Sequence, residues 1–264
     1  MVTLNNGVNI PQLGLGTWMI IGPKAEHAVT SALEIGYRHI DTARIYRNES
    51  RVGKAISASG MKREDVFITT KIFNTQHRDP VKALDDSLRR LGTDYVDLYL
   101  IHWPVKERLR TWKILEGELA KGKVKAIGVS NFTARHLEEL IQNSNVVPAV
   151  NQVEFHPYLY QKVLLKYCQS KNIALEAYSP LAHGRRQENS TITSLSKKYK
   201  KTTAQIMIRW SLQLGNIVIP KSSHPARIKE NFEVFDFSIS DADMELIGAL
   251  NEDLRTCWNP EQVV

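Results

Sequence analysis

The sequence predicts an α/β protein, a closed (β/α)8 or TIM barrel with a short N-terminal β-hairpin closing its bottom. Three observations predict it. Apolar runs of strand length alternate with helix-period segments along the whole chain, eight such runs can be counted, and 264 residues suit a barrel whose typical size is about 250. The alternation alone also allows a doubly wound open sheet; the strand count favours the barrel. One domain over residues 1–264 is expected.

At the front, Val2-Thr3-Leu4 and Asn9-Ile10-Pro11 flank a turn at Asn6-Gly7, a pair that tolerates the positive φ angles of a tight hairpin. The eight barrel strands are expected at residues 13–16, 37–41, 66–71, 95–102, 124–129, 149–154, 173–178 and 217–220. Between the third and fourth, Asp79-Pro80 reads as an N-cap followed by Pro at the first helical position. Val81, Leu84, Leu88 and Leu91 then recur at helical spacing until Gly92. Ile206, Trp210 and Leu214 mark another helix that stops at Gly215. Ser240 and Asp243 open a last helix carrying Met244, Ile247 and Leu250.

Apolar residues make up 42% and charged residues 24%, ordinary for a folded globule. Two cysteines, Cys168 and Cys257, exclude a disulfide scaffold and suit a reducing compartment. No apolar run approaches the roughly 18 residues of a membrane span, and Met1-Val2-Thr3-Leu4-Asn5-Asn6-Gly7 does not read as a secretory leader, so a cytoplasmic protein without a membrane partner is expected. The net charge of +7 favours anionic ligands, yet the basic groups Lys197-Lys198-Tyr199-Lys200-Lys201 and Arg185-Arg186 are short. No aromatic-interleaved basic stripe exists, and nucleic acid is not an expected partner.

Several motifs fail. Gly14-Leu15-Gly16-Thr17-Trp18-Met19 has Met where a dinucleotide fingerprint has its third glycine. Gly117-Glu118-Leu119-Ala120-Lys121-Gly122-Lys123-Val124 approaches a P-loop but ends in Val and precedes a strand. Gly128-Val129-Ser130-Asn131-Phe132 lacks the closing glycine of a nucleophile elbow. The eight histidines show no zinc spacing, and no metal is expected. Tyr167 and Lys171 form a Tyr-x-x-x-Lys element, as in short-chain dehydrogenases, without the glycine-rich turn that family needs; it reads as the surface end of a helix.

The informative pattern lies at strand ends. The second, third and fourth strands lead to Asp41, Lys71 and His102, and Tyr46 follows Asp41 in a short loop. In a barrel these ends share one mouth. A Tyr hydroxyl, with pKa near 10, is a weak acid; a neighbouring Lys is expected to lower that pKa, and Asp41 can balance the buried Lys. His102 can orient a carbonyl by hydrogen bonding. The set holds an acid and an oxygen binder but no nucleophile, so it needs an electron donor, and a nicotinamide is the simplest.

With these residues in view, the chain resembles the aldo-keto reductase superfamily nearly end to end. Gly36-Tyr37-Arg38-His39-Ile40-Asp41-Thr42-Ala43 with Tyr46 and Asn48-Glu49 resembles its first signature. Leu91-Gly92-Thr93-Asp94-Tyr95-Val96-Asp97-Leu98-Tyr99-Leu100-Ile101-His102-Trp103-Pro104 resembles the second, and Ile219-Pro220-Lys221-Ser222 through Arg227 to Asn231 the third. The resemblance implies a barrel with NADPH at its mouth and the tetrad Asp41, Tyr46, Lys71 and His102. It implies that Ser130, Asn131 and Gln152 hold the nicotinamide carboxamide, that Tyr178 stacks on the ring, and that Ser179 and Leu181 meet the pyrophosphate. It further implies that Lys221, Ser222 and Arg227 clamp the 2′-phosphate and that Glu230 and Asn231 contact the adenine.

Trp18 and Trp103, with Tyr46 and His102, match residues lining the family's pocket for small carbonyl substrates. The short loop after Trp103-Pro104 and the short tail beyond Asn251 resemble the compact microbial type, similar to diketogluconate reductases, glyoxal reductases and protozoan prostaglandin F synthases. An open pocket with loose specificity is expected, in a monomer. Arg185-Arg186 sits where the family has a loop over the cofactor, and solvated surface is its expected place. A non-catalytic binding or structural protein on the same scaffold, for which potassium-channel β subunits and lens crystallins are precedents, and a sugar-phosphate isomerase are the competing readings.

Overall fold

The computed structural model describes residues 1–186 and 188–263. An antiparallel hairpin of β1 (Val2–Thr3) and β2 (Asn9–Ile10) opens the chain. Then follow β3 (Leu15–Gly16), α1 (Pro23–Ile35), β4 (His39–Asp41), α2 (Glu49–Ala58), β5 (Phe67–Ile72), α3 (Pro80–Leu91), β6 (Val96–Ile101), α4 (Arg108–Ala120), β7 (Val124–Ser130) and α5 (Ala134–Gln142). The second half runs through β8 (Val150–Glu154), α6 (Lys162–Ser170), β9 (Ala174–Tyr178), α7 (Ser190–Tyr199), α8 (Thr203–Gln213), β10 (Ile217–Ile219), α9 (Pro225–Phe232) and α10 (Asp241–Gly248).

Strands β3 to β10 are parallel and lie in sequence order. The ring closes where Gly14 N donates to Val218 O (2.9 Å), Val218 N to Gln12 O (2.8 Å) and Gly16 N to Pro220 O (3.0 Å). This is the expected barrel, with strand bounds within two residues of the expectation. The first strand is shorter than expected, Leu15–Gly16, with Leu13 joined to Val218 by an isolated bridge. The last strand stops before Pro220, which has no N–H to continue a ladder. Two helices rather than one, α7 and α8, join β9 to β10.

Local chemistry sets the helix ends. The Asp79 side chain accepts from Lys82 N, and Gly92 at φ 67° stops α3. Ser240 likewise caps α10 through Asp243 N. Helices α2 and α3 pack so closely that a Cβ on Gly53 would sit 2.1 Å from the Leu91 carbonyl oxygen.

The barrel interior is sorted by height, and this positions the site. At the N-terminal end, Leu4 and Ile10 of the hairpin region pack with Phe67, Leu98, Val150 and Ile217 into an apolar plug. In mid-barrel lie the buried His39 and Glu176. At the C-terminal end the buried side chains turn polar, with Asp41, Lys71, His102, Ser130 and Gln152.

Candidate functional site

The C-terminal strand ends bring all four candidate catalytic side chains together. Lys71 is fully buried, and its Nζ donates to both Asp41 carboxylate oxygens (2.8 and 2.7 Å) and to Thr42 O (2.9 Å). The same Nζ lies 5.1 Å from the centre of the Tyr46 ring, which meets the His102 ring edge-on at 5.8 Å. Gln152 Nε2 donates to Asp41 Oδ2 (2.8 Å). Burial works against the Asp41 charge, and the Lys71 ammonium and Gln152 amide work for it. With three donors at 2.7–2.8 Å, the ion pair is the state the geometry supports.

The surroundings tune the other two groups. Burial, reinforced by the negative charge of Asp41, raises the Tyr46 hydroxyl well above its ordinary value of 10.0. This reverses the expected lowering by Lys71: burial and the Asp41 charge prevail. Burial, followed by the Lys71 charge, holds His102 well below 6.5, so its imidazole is neutral. Deeper in the barrel, neither Glu176 oxygen has a hydrogen-bond partner among the described residues, and burial pushes this carboxyl up to about 8.

One cleft of about 1020 Å³ opens over this cluster. Asp41, Tyr46 and His102 lie at its floor with Trp18 and Trp103; Lys71 sits beneath, behind Asp41. Ser130, Asn131, Gln152, Tyr178, Ser179 and Leu181 line the same cleft, as do Lys221, Ser222, Arg227, Glu230 and Asn231. Every candidate position except Lys71 therefore faces one continuous surface. The walls are braced. Tyr178 OH donates to Asn131 Oδ1 (2.8 Å), Asn131 Nδ2 to His102 O (2.9 Å), and Ser130 Oγ to Gln152 O (2.8 Å). Met19, Asn131, Ser179 and His183, all at the cleft, hold left-handed backbone (φ 49–64°) that side chains rarely adopt; such strain gathers where the surrounding structure fixes a functional surface.

The donor set fits a phosphorylated dinucleotide. Lys221, Ser222 and Arg227 suit a phosphate dianion, and the amide and hydroxyl groups of Ser130, Asn131 and Gln152 suit a carboxamide. The Tyr-x-x-x-Lys element and Arg186 lie elsewhere. Tyr167 OH donates to Glu138, 3.6 Å from Lys171, and neither Tyr167 nor Lys171 lines the cleft. Arg186 is exposed and pairs with Glu252 (2.9 Å).

One structural element carries no signal in the sequence. The short tail reaches the cleft, and Thr256, Cys257 and Trp258 line it. Trp258 packs on Trp103 with ring centres 5.7 Å apart. The buried Glu154 carboxylate accepts from Thr256 N (2.7 Å), Thr256 Oγ1 (2.5 Å), Cys257 N (3.2 Å) and His156 Nε2 (3.1 Å). Burial opposes the Glu154 charge, but the bonds from His156 and Thr256 outweigh it and hold the carboxyl below 4.5. The pocket is therefore less open than its short loops suggest, since the tail supplies a wall.

Glu154→Ala should free this tail. Each charge-assisted bond is worth about 1.5–3 kcal/mol, so tryptic cleavage after Arg255 is expected to quicken at least about tenfold if it follows the open population. An unchanged cleavage rate in timed digests would show that Glu154 does not hold the segment.

Comparison with known proteins agrees with this geometry. A family model described as the aldo/keto reductase family matches residues 12–252. The chain is 47% identical over 267 residues to glyoxal reductase of Bacillus subtilis, covering 100% of this chain and 97% of the relative. Among solved structures, it is 45% identical to MGS-M4, an aldo-keto reductase from a deep-sea metagenome library, with a TM-score of 0.97 and complete coverage of both chains. It is 37% identical to a Bombyx mori aldo-keto reductase solved in complex with NADP, with a TM-score of 0.94, covering 98% of this chain and 95% of that one.

Proposed function

Because the chain belongs to the aldo/keto reductase family, an oxidoreductase family acting on carbonyl groups, we propose that it reduces aldehydes and ketones to alcohols with NADPH, Tyr46 giving the proton. The observation that carries this reading is the Tyr46–Lys71–Asp41–His102 cluster at a cleft that Lys221 and Arg227 also line. The relative named glyoxal reductase supports small, reactive carbonyl compounds as substrates. The NADP complex of the Bombyx mori protein supports the cofactor.

Lys221, Ser222 and Arg227 would hold the 2′-phosphate, Glu230 and Asn231 the adenine, and Ser179 and Leu181 the pyrophosphate. Ser130, Asn131 and Gln152 would take the carboxamide, against the face of Tyr178. When bound, the dihydronicotinamide supplies the hydride for the carbonyl carbon. His102, neutral, orients and polarises the carbonyl oxygen rather than protonating it. Tyr46 keeps its proton at neutral pH and releases it when charge builds on that oxygen. A raised phenol still suffices, because an alkoxide resembles hydroxide in basicity, with a conjugate acid near 15.7, about that of bulk water. Lys71 steadies the developing phenolate, and Asp41 holds Lys71 in place. Trp18, Trp103 and Trp258 wall the carbonyl pocket.

The protonation states of Tyr46 and His102 predict no titration of either group between about pH 7 and about pH 9. Tyr46 stays protonated to beyond 10.0, and His102 becomes charged only well below 6.5. With NADPH saturating, any change in kcat/KM for a neutral aldehyde inside that window should come from Glu176, whose buried carboxyl is pushed up to about 8 beside Asp41, and Glu176→Gln should remove it. A titration in that window that persists in Glu176→Gln would contradict the assignment. The broad test is NADPH consumption, followed at 340 nm, across methylglyoxal, aromatic aldehydes, aldoses, diketones and quinones. No turnover with any of them would favour a non-catalytic binding protein.

A further inference from the structure

A second, smaller cavity of about 170 Å³ adjoins the carbonyl end of the cleft, lined by Arg44, Ile45, Arg47, Phe73, Thr75 and Gln76. Ile45 and Phe73 line the main cleft as well, so the two cavities share a wall. The Phe73 ring lies 5.9 Å from the His102 ring, which places the small cavity about one ring's breadth from the proposed carbonyl position.

Its polar lining offers two guanidinium groups, an amide NH2 and a hydroxyl. Residues Arg44–Tyr46 form a single 3-10 turn, with Arg47 N donating to Arg44 O (3.3 Å). Arg47 follows the turn in left-handed backbone (φ 57°), and both Arg44 and Arg47 line the cavity. Among the described residues no carboxylate pairs with either guanidinium, whereas the nearby Arg51 pairs with Glu26 at 3.1 Å. Gln76 Oε1 is occupied by Phe73 N (3.1 Å), which fixes the amide's orientation and leaves its NH2 without a partner among the described residues. The Thr75 hydroxyl is likewise unpartnered there. Two adjacent like charges repel each other without a counterion. An anion bound between them would relieve this repulsion, with the guanidinium forks matching carboxylate or phosphate geometry.

We propose that this cavity is an anion subsite and that the enzyme selects carbonyl substrates bearing a carboxylate or phosphate a short distance from the carbonyl. The proposal rests on the carbonyl-reductase reading above and adds the substrate class to it.

The test compares matched substrates with NADPH saturating, so that cofactor effects cancel. The pair 4-carboxybenzaldehyde and methyl 4-formylbenzoate differ chiefly in charge. Wild-type kcat/KM is expected to favour the acid by about tenfold, and 0.5 M salt should erode that preference. In the double variant Arg44→Ala/Arg47→Ala the ratio should fall to about one while the ester's rate holds. Arg44→Lys/Arg47→Lys should restore part of it. Succinic semialdehyde against butanal, and glyceraldehyde 3-phosphate against glyceraldehyde, show which anion is preferred. Equal ratios in wild type and the double alanine variant, or a wild-type preference for the ester, would overturn the subsite.

If no aldehyde consumes NADPH, the reductase reading fails instead. Calorimetry with 4-(hydroxymethyl)benzoate then still decides the subsite. Binding weakened about tenfold by the double alanine substitution supports it, and unchanged or undetectable wild-type binding refutes it.

Discussion

Tyr46→Phe is expected to lower single-turnover reduction by about 10²- to 10⁴-fold, the usual range for losing a positioned acid, while NADPH affinity stays near the wild-type value. The substitution removes only the hydroxyl. The ring keeps its place over Lys71 and against His102, so the cleft should hold its shape. His102 cannot take over, since burial and the Lys71 charge keep it neutral. Rapid mixing of enzyme–NADPH with aldehyde checks the rate, and fluorescence titration checks the affinity. Substantial residual turnover would assign the proton donor elsewhere.

Arg227→Ala should separate the two nicotinamide cofactors. Arg227 lines the same cleft as the tetrad, with Lys221 and Ser222. A charge-assisted bond to phosphate is worth about 1.5–3 kcal/mol, so its loss should weaken NADPH about 10- to 100-fold. NADH, which lacks the 2′-phosphate, should bind as before. The check is the dissociation constant of each cofactor for wild type and variant; equal losses for both would refute the clamp.

Most of the barrel is legible in the sequence because its signals are local. Asp79 and Pro80 start α3 and Gly92 stops it through contacts within a few residues. Strand-length apolar runs lead to Asp41, Lys71 and His102 because parallel strands are buried on both faces until they reach the mouth. The cleft residues were placed by resemblance; composition and periodicity alone would not have picked Ser130 or Arg227 from the other polar residues.

Long-range features were hidden. The bond from Thr256 to Glu154 spans 102 positions, and no periodicity marks either partner. Trp258 reads as a tail residue until the chain folds back onto Trp103. The direction of the Tyr46 shift was misjudged for a related reason. The sequence places a Lys near the phenol, but it shows neither the depth of burial nor the two bonds by which Asp41 engages that Lys. The small cavity lined by Arg44 and Arg47 depends on the turn at Arg44–Tyr46 and on the orientation of Gln76, which only the folded chain reveals.

The central claim is that the tetrad works on a carbonyl set against a nicotinamide in the same cleft. Isotope transfer tests it most directly. Wild-type enzyme given NADPH carrying deuterium at C4 on one face, and in a parallel run on the other, should form an alcohol from 4-nitrobenzaldehyde with one deuterium on the carbinol carbon in one run and none in the other. Alcohol free of deuterium in both runs, or labelled equally in both, would contradict it.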